Sequence, residues 1–165
     1  MNSTMTGRRV ALFAGMFGVL LIPVRQTRAS DCSNDTVGSR LLDRYVAAIN
    51  AHDTSSFPEL HVENYIQHSG RSANGLAAQI ENFRGIFARM PDVRAQAEDR
   101  IIAGDRVVAR MSFSGTHTQP LQGIAPTGRR FTLRTIDIWR IENGKFAEHW
   151  DIVDALGLQK QLKGD

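Results

Sequence analysis

At 165 residues, with 42% hydrophobic and 22% charged content, the chain has the size and composition of one soluble globular domain with a proper core. Its basic excess is local: Arg8, Arg9, Arg25 and Arg28 fall in the first 30 residues, which hold no acidic side chain. Without those four, 16 basic residues face 17 acidic ones and the formal charge moves from +3 to −1, which excludes a strong electrostatic footprint for nucleic acid.

"MTGRR", the apolar run Val10–Val24 and the small residues of "TRAS" have the layout of a secretory signal peptide. The run is shorter than the roughly 20 residues that cross a bilayer, so no stable membrane anchor is expected after cleavage near Ser30. The expected organisation is a signal peptide over 1–30, a flexible lead-in over 31–36 and one domain over 37–165. Export to the periplasm or medium follows. Cys32 is the single cysteine, which rules out an internal disulfide.

From Val37 the apolar residues Leu41, Leu42, Tyr45, Val46 and Ile49 recur at spacings of three and four, predicting an amphipathic helix. "SSFPEL" reads as a helical turn and "VENYIQH" as a short extended stretch. "NGLAAQIENFRGIFARM" predicts a second helix with Leu76, Ile80, Phe83 and Phe87 on one face, stopped by Pro91. The period then becomes two. Residues 93–117 predict two strands joined at Gly104, and 118–129 predict a loop rich in proline and glycine. "RFTLRTIDIWRI" and "KFAEHWDIVD" predict a hairpin through "ENGK", and "ALGLQKQL" a closing helical turn. Helices followed by a long antiparallel meander make an α+β domain, and a sheet of that length curls around its helices, leaving a cone that either fills or holds a ligand.

Alternation places Phe131, Leu133, Thr135, Asp137 and Trp139 on one face, with Asp137 the one charge among them. A structural pairing with Arg110 or Arg134 would explain it without function. On the next strand His149 and Asp151 share a face, with side chains roughly 7 Å apart. A carboxylate in an apolar pocket becomes a usable general base, whereas one bonded to a surface arginine is a structural ion pair. His68, His117, His149 and Asp151 are the residues that could gather around zinc or iron, but no short histidine spacing supports a metal site. Neither a nucleophile elbow nor a phosphate-cradling loop is present.

"YIQH", "GDRVVARMSFSGTH", "GIAPTGRRF" and "IENGKFAEHWDIVD", closing on "LGLQKQL", resemble the SnoaL-like polyketide cyclase (ester cyclase) family of the nuclear transport factor 2-like superfamily. The resemblance spans most of Val37–Leu162. It implies a cone-shaped α+β fold with a central pocket, homodimerisation, and intramolecular aldol chemistry without metal or cofactor. It carries the general acid/base aspartate over to Asp151. A pocket histidine of the family falls at Asp137 here, and a pocket asparagine at Gln67. The expected site therefore has Asp151 as proton shuttle, His149 and Asp137 as donors, and Gln67, His68, His117, Phe131 and Trp139 as lining for a small apolar carbonyl compound. A binding domain without turnover, or a dimerising domain without an open pocket, are the readings from other classes.

Overall fold

The computed structural model describes residues 36–165, so the signal peptide expected over 1–30 and the lead-in up to residue 35 lie outside the described residues. Thr36, expected as the end of the lead-in, instead caps a helix: its hydroxyl accepts from the Ser39 amide at 3.1 Å. That helix, α1 (Val37–Ala51), buries Leu41, Leu42, Tyr45 and Ile49, the stripe its periodicity predicts. His52 ends it in the left-handed region at φ 54°, its amide bonded to the Ala48 and Ile49 carbonyls. Gly38 lets the first turn lie against the sheet. A Cβ there would stand 2.8 Å from Val107 Cγ2.

A single turn, α2 (Phe57–Leu60), buries Phe57 and Leu60 and leads into β1 (His61–Gln67). Helix α3 (Leu76–Arg89) follows, then β2 (Arg94–Ala103), β3 (Arg106–Thr116), β4 (Arg130–Glu142), β5 (Lys145–Val153) and α4 (Ala155–Lys163). The sheet order is β1-β5-β4-β3-β2, and β1 runs parallel to β5 while the other neighbours are antiparallel. The meander legible in the sequence thus gains a parallel edge strand from the N-terminal half. Asn143 and Gly144, at φ 49° and 76°, close the β4–β5 hairpin with Glu142 paired to Lys145.

Strict alternation along β5 does not hold throughout. The register steps from Arg140↔Glu148 to Ile141↔Phe146, so Ala147 is an extra, bulged residue and both it and Phe146 are buried. Beyond the bulge, His149 and Asp151 point inward as expected.

Tyr45 sits at the centre of the core, with Phe57, His61, Phe83, Trp139 and Phe146 ringing it at centroid distances of 5.8–6.0 Å. Each such buried ring removes enough apolar surface from water to contribute about 2–3 kcal/mol. A second cluster forms where Leu158 and Leu162 of α4 meet Phe131. There Gln161 brackets Thr132, accepting from its amide at 2.8 Å and donating to its carbonyl at 3.0 Å. The opposite face of the sheet carries Ile136, Ile138 and Ile152 exposed.

Candidate active site

The β4–β5 register sets Asp137 directly opposite Asp151 and Trp139 opposite His149. All four belong to the inward face, so two carboxylates and an imidazole meet at one level of the sheet. His149 Nε2 lies 2.9 Å from Asp137 Oδ1, and His149 Nδ1 lies 2.9 Å from Gln67 Oε1. The Thr135 hydroxyl donates to Asp137 Oδ2. Asp137 is thus held by histidine and threonine, not by Arg110 or Arg134. Trp139 stacks on the imidazole at 5.0 Å and 22°.

These contacts orient the imidazole ring. Gln67 Oε1 also accepts from the Ser69 amide at 3.4 Å, which sets the amide oxygen toward the histidine. Nδ1 therefore donates to Gln67, and Nε2 faces a carboxylate. Gln67 and Thr135 hold the His149–Asp137 pair in the geometry needed to share a proton.

Asp151 lies beside it with a side chain only 6% exposed. Its Oδ2 accepts from Arg71 in the β1–α3 loop, while its Oδ1 is buried with no hydrogen-bond partner among the described residues. The arginine pairing weighed as a structural alternative is present, but the carboxylate end is buried and half of its bonding capacity is free. Tyr65 Oη and Trp139 Nε1 are likewise buried and, among the described residues, have no polar partner beyond one another. Burial raises the Tyr65 pKa beyond its ordinary range; a hydrogen bond with Trp139 partly opposes this, and the Asp137 and Asp151 charges add to the rise. Tyr45 is raised for the same reasons, burial first, then the charges of Tyr65, Asp137 and Asp151. Both phenols stay protonated across the physiological range and remain donors.

Asp137, His149 and Asp151 each offer a ligand atom within 4.8 Å of the others, a set of the kind that suits a divalent ion. The guanidinium of Arg71 supplies positive charge at one of these carboxylates, Asp151.

The other expected residues lie elsewhere. His68 follows the last residue of β1 and turns outward, stacked on Trp150 at 4.3 Å and bonded to Glu148 at 2.8 Å. Adjacent strand residues face opposite sides, so Gln67 and His68 could not both point inward. His117 and Phe131 come together, but around a separate cavity of about 10 Å³ shared with Met90 and Leu121. Phe131 is six residues along β4 from Asp137, roughly 20 Å away. A cavity of about 170 Å³ lies by Glu98, Arg110, Ser112 and Arg134. Neither is lined by Asp137, His149 or Asp151. Beside those three, the interior is filled by Tyr45, Tyr65 and Trp139. Sequence reasoning missed Tyr65, although it precedes the inward Gln67 by two residues and so shares its face. It also missed Arg71, for which a loop sequence gives no signal.

Residues 39–162 match the family model described as SnoaL-like polyketide cyclase. The chain belongs to the SnoaL-like polyketide cyclase family. Among its relatives, aklanonic acid methyl ester cyclase DnrD of Streptomyces peucetius is 30% identical over 132 residues, covering 74% of this chain and 88% of its own. The corresponding cyclase DauD of Streptomyces sp. (strain C5) is 29% identical over 129 residues, covering 74% and 79%. The structure of TsrD from Streptomyces laurentii matches with a TM-score of 0.71 at 34% identity, over 76% of this chain and 94% of that one. The SnoaL-like fold accounts for the N-terminal helices and the five-stranded mixed sheet.

Proposed function

We propose that this chain is a cyclase acting on a polyketide methyl ester, with Asp151 as the base. The unpartnered, buried Oδ1 of Asp151, set opposite the hydrogen-bonded Asp137–His149 pair, is the observation that carries the reading. Relatives whose names specify aklanonic acid methyl ester supply the substrate class. Asp151 takes the proton from the carbon next to the ester carbonyl. The resulting enolate carbon attacks a ketone carbon in the same molecule, a C–C bond forms, and the ketone oxygen becomes an alkoxide. The proton held between His149 and Asp137 passes to that oxygen, and Asp151 returns its own proton to restore the pair. The C–C bond formation and three proton transfers leave the overall oxidation state unchanged and restore the protein. A preorganised donor beside the base steadies the developing oxyanion.

The direct test is incubation of the full chain with aklanonic acid methyl ester, followed by chromatography for a ring-closed isomer of unchanged mass. Formation of that isomer above the uncatalysed rate supports the reading; recovery of unchanged ester overturns the substrate.

The exposed isoleucines favour a second element of this reading, a homodimer. Ile136 pairs with Ile152 across the outer ladder, and Ile152 is 77% exposed. A second copy of the same sheet face is the matching apolar partner. The signal-like N-terminus supports export, and N-terminal sequencing of secreted protein beginning near Ser30 or Asp31 checks it.

A further inference from the structure

We infer that Arg71 is a displaceable cap on Asp151 that selects substrates carrying an acyl oxygen beside the acidic C–H bond. This rests on the reading of Asp151 as the base. The Arg71–Asp151 pair is lopsided: the carboxylate side chain is 6% exposed and the arginine side chain 52%. The guanidinium therefore stands between water and the buried acid.

Its loop is tied down at both ends, and its tip turns through Gly70 with the Arg71 amide donating to Ser69 Oγ at 3.3 Å. Gln67 N donates to Asn74 Oδ1 at 2.8 Å, Gly75 N donates to the Tyr65 carbonyl at 2.6 Å, and His68 N donates to the His149 carbonyl at 2.8 Å. These bonds tie both loop ends to β1 and β5. At the tip Gly70 sits at φ +68° with nothing within 4 Å of the place a Cβ would occupy. Arg71 makes no side-chain bond to Gln67 or His149, so its guanidinium can shift at Asp151 with those backbone ties in place.

A ligand reaching Asp151 must meet this guanidinium. Moving it away altogether would leave a buried carboxylate with no bonded oxygen, which is strongly unfavourable. Arginine offers a way round this because its five N–H groups form a planar fork. One arm stays with Asp151 Oδ2 while another passes to the ester carbonyl oxygen of the entering molecule. Asp151 Oδ1, free of any partner, is left to face the C–H bond. A substrate lacking the acyl oxygen gives the second arm nothing to bind and leaves the cap closed. Lysine, a point charge, cannot hold both oxygens in this way.

Two probes separate the roles. The first is aklanonic acid methyl ester. The second is nitrobenzisoxazole, an ester-free carbon acid that loses its ring C–H proton to a base, breaks its N–O bond and releases a coloured phenolate. Arg71→Ala should raise KM for the ester about tenfold or more, the worth of a lost charge-assisted hydrogen bond. The same substitution should speed nitrobenzisoxazole elimination several-fold over wild type. Arg71→Lys should follow Arg71→Ala on the ester. Circular dichroism should match wild type, since the side chain is half exposed. Movement in opposite directions on the two probes supports the cap; a purely structural role would lower both. Unchanged values on both, or a fall on both, overturn it. Asp151→Asn distinguishes the underlying reading: elimination that persists in Asp151→Asn removes Asp151 as base, whatever Arg71 does.

Discussion

Asp137 and Asp151 are direct partners across the β4–β5 ladder, two carboxylates on the same inward face. Like charges so placed repel, and the protein answers with Arg71 on one and the His149 proton on the other. Asp137→Asn removes one of the two charges, keeps the side-chain volume and still accepts from Thr135. Its melting temperature should stay within a few degrees of wild type while ring closure slows by about a hundredfold, the usual size of a lost proton-transfer group. Calorimetry and a progress curve on the proposed ester measure the two quantities. Parallel loss of both would make Asp137 a structural residue.

His61 gives a pH dependence separate from the site. It is 1% exposed, and burial lowers its pKa from 6.5 to about 4, while the bond from Nδ1 to the Phe57 carbonyl only partly opposes this. Between those values the unfolded chain binds a proton that the folded chain does not. Stability from this group is therefore complete above pH 6.5 and declines as pH falls toward 4. From pH 7.5 to pH 5 the difference is about 2 kcal/mol. His61→Gln keeps a donor for Phe57 and cannot titrate. In urea unfolding over this range, wild type should lose about 2 kcal/mol more stability than His61→Gln does. Equal losses would contradict the assignment.

Ile152 addresses the outer face. With 77% of its surface exposed next to Ile136 and Ile138, it contributes apolar area that a second copy would cover. Ile152→Glu should convert a dimer to a monomer in light scattering after size exclusion, with circular dichroism unchanged. A wild-type protein that already has the mass of one chain would end the proposed dimer.

Much of this arrangement was legible in the residues. The three-and-four spacing of Leu41, Tyr45 and Ile49 defined the buried face of α1, and period two along 131–139 turned Thr135, Asp137 and Trp139 inward together. Asn-Gly at 143–144 fixed the hairpin, and with it the facing of Asp137 and Asp151. Three things were not legible, each for a physical reason. The bulge at Ala147 interrupts alternation with no local signature. The parallel pairing of β1 with β5 joins segments far apart in the chain and is set by packing, so the partnership of Gln67 with His149 is tertiary information. Arg71 reaches Asp151 only because the backbone turns at Gly70 and Gly75, both at positive φ.

Removal of a carbon-bound proton by Asp151 is the central claim, and solvent isotope exchange tests it most directly. The proposed ester, incubated in deuterium oxide and followed by proton NMR, should lose the signal of the hydrogen beside its ester carbonyl faster with wild-type protein than without. Asp151→Asn should slow that loss to the uncatalysed rate, while retaining the fold by circular dichroism. Exchange that continues at the wild-type rate in Asp151→Asn would contradict the claim outright.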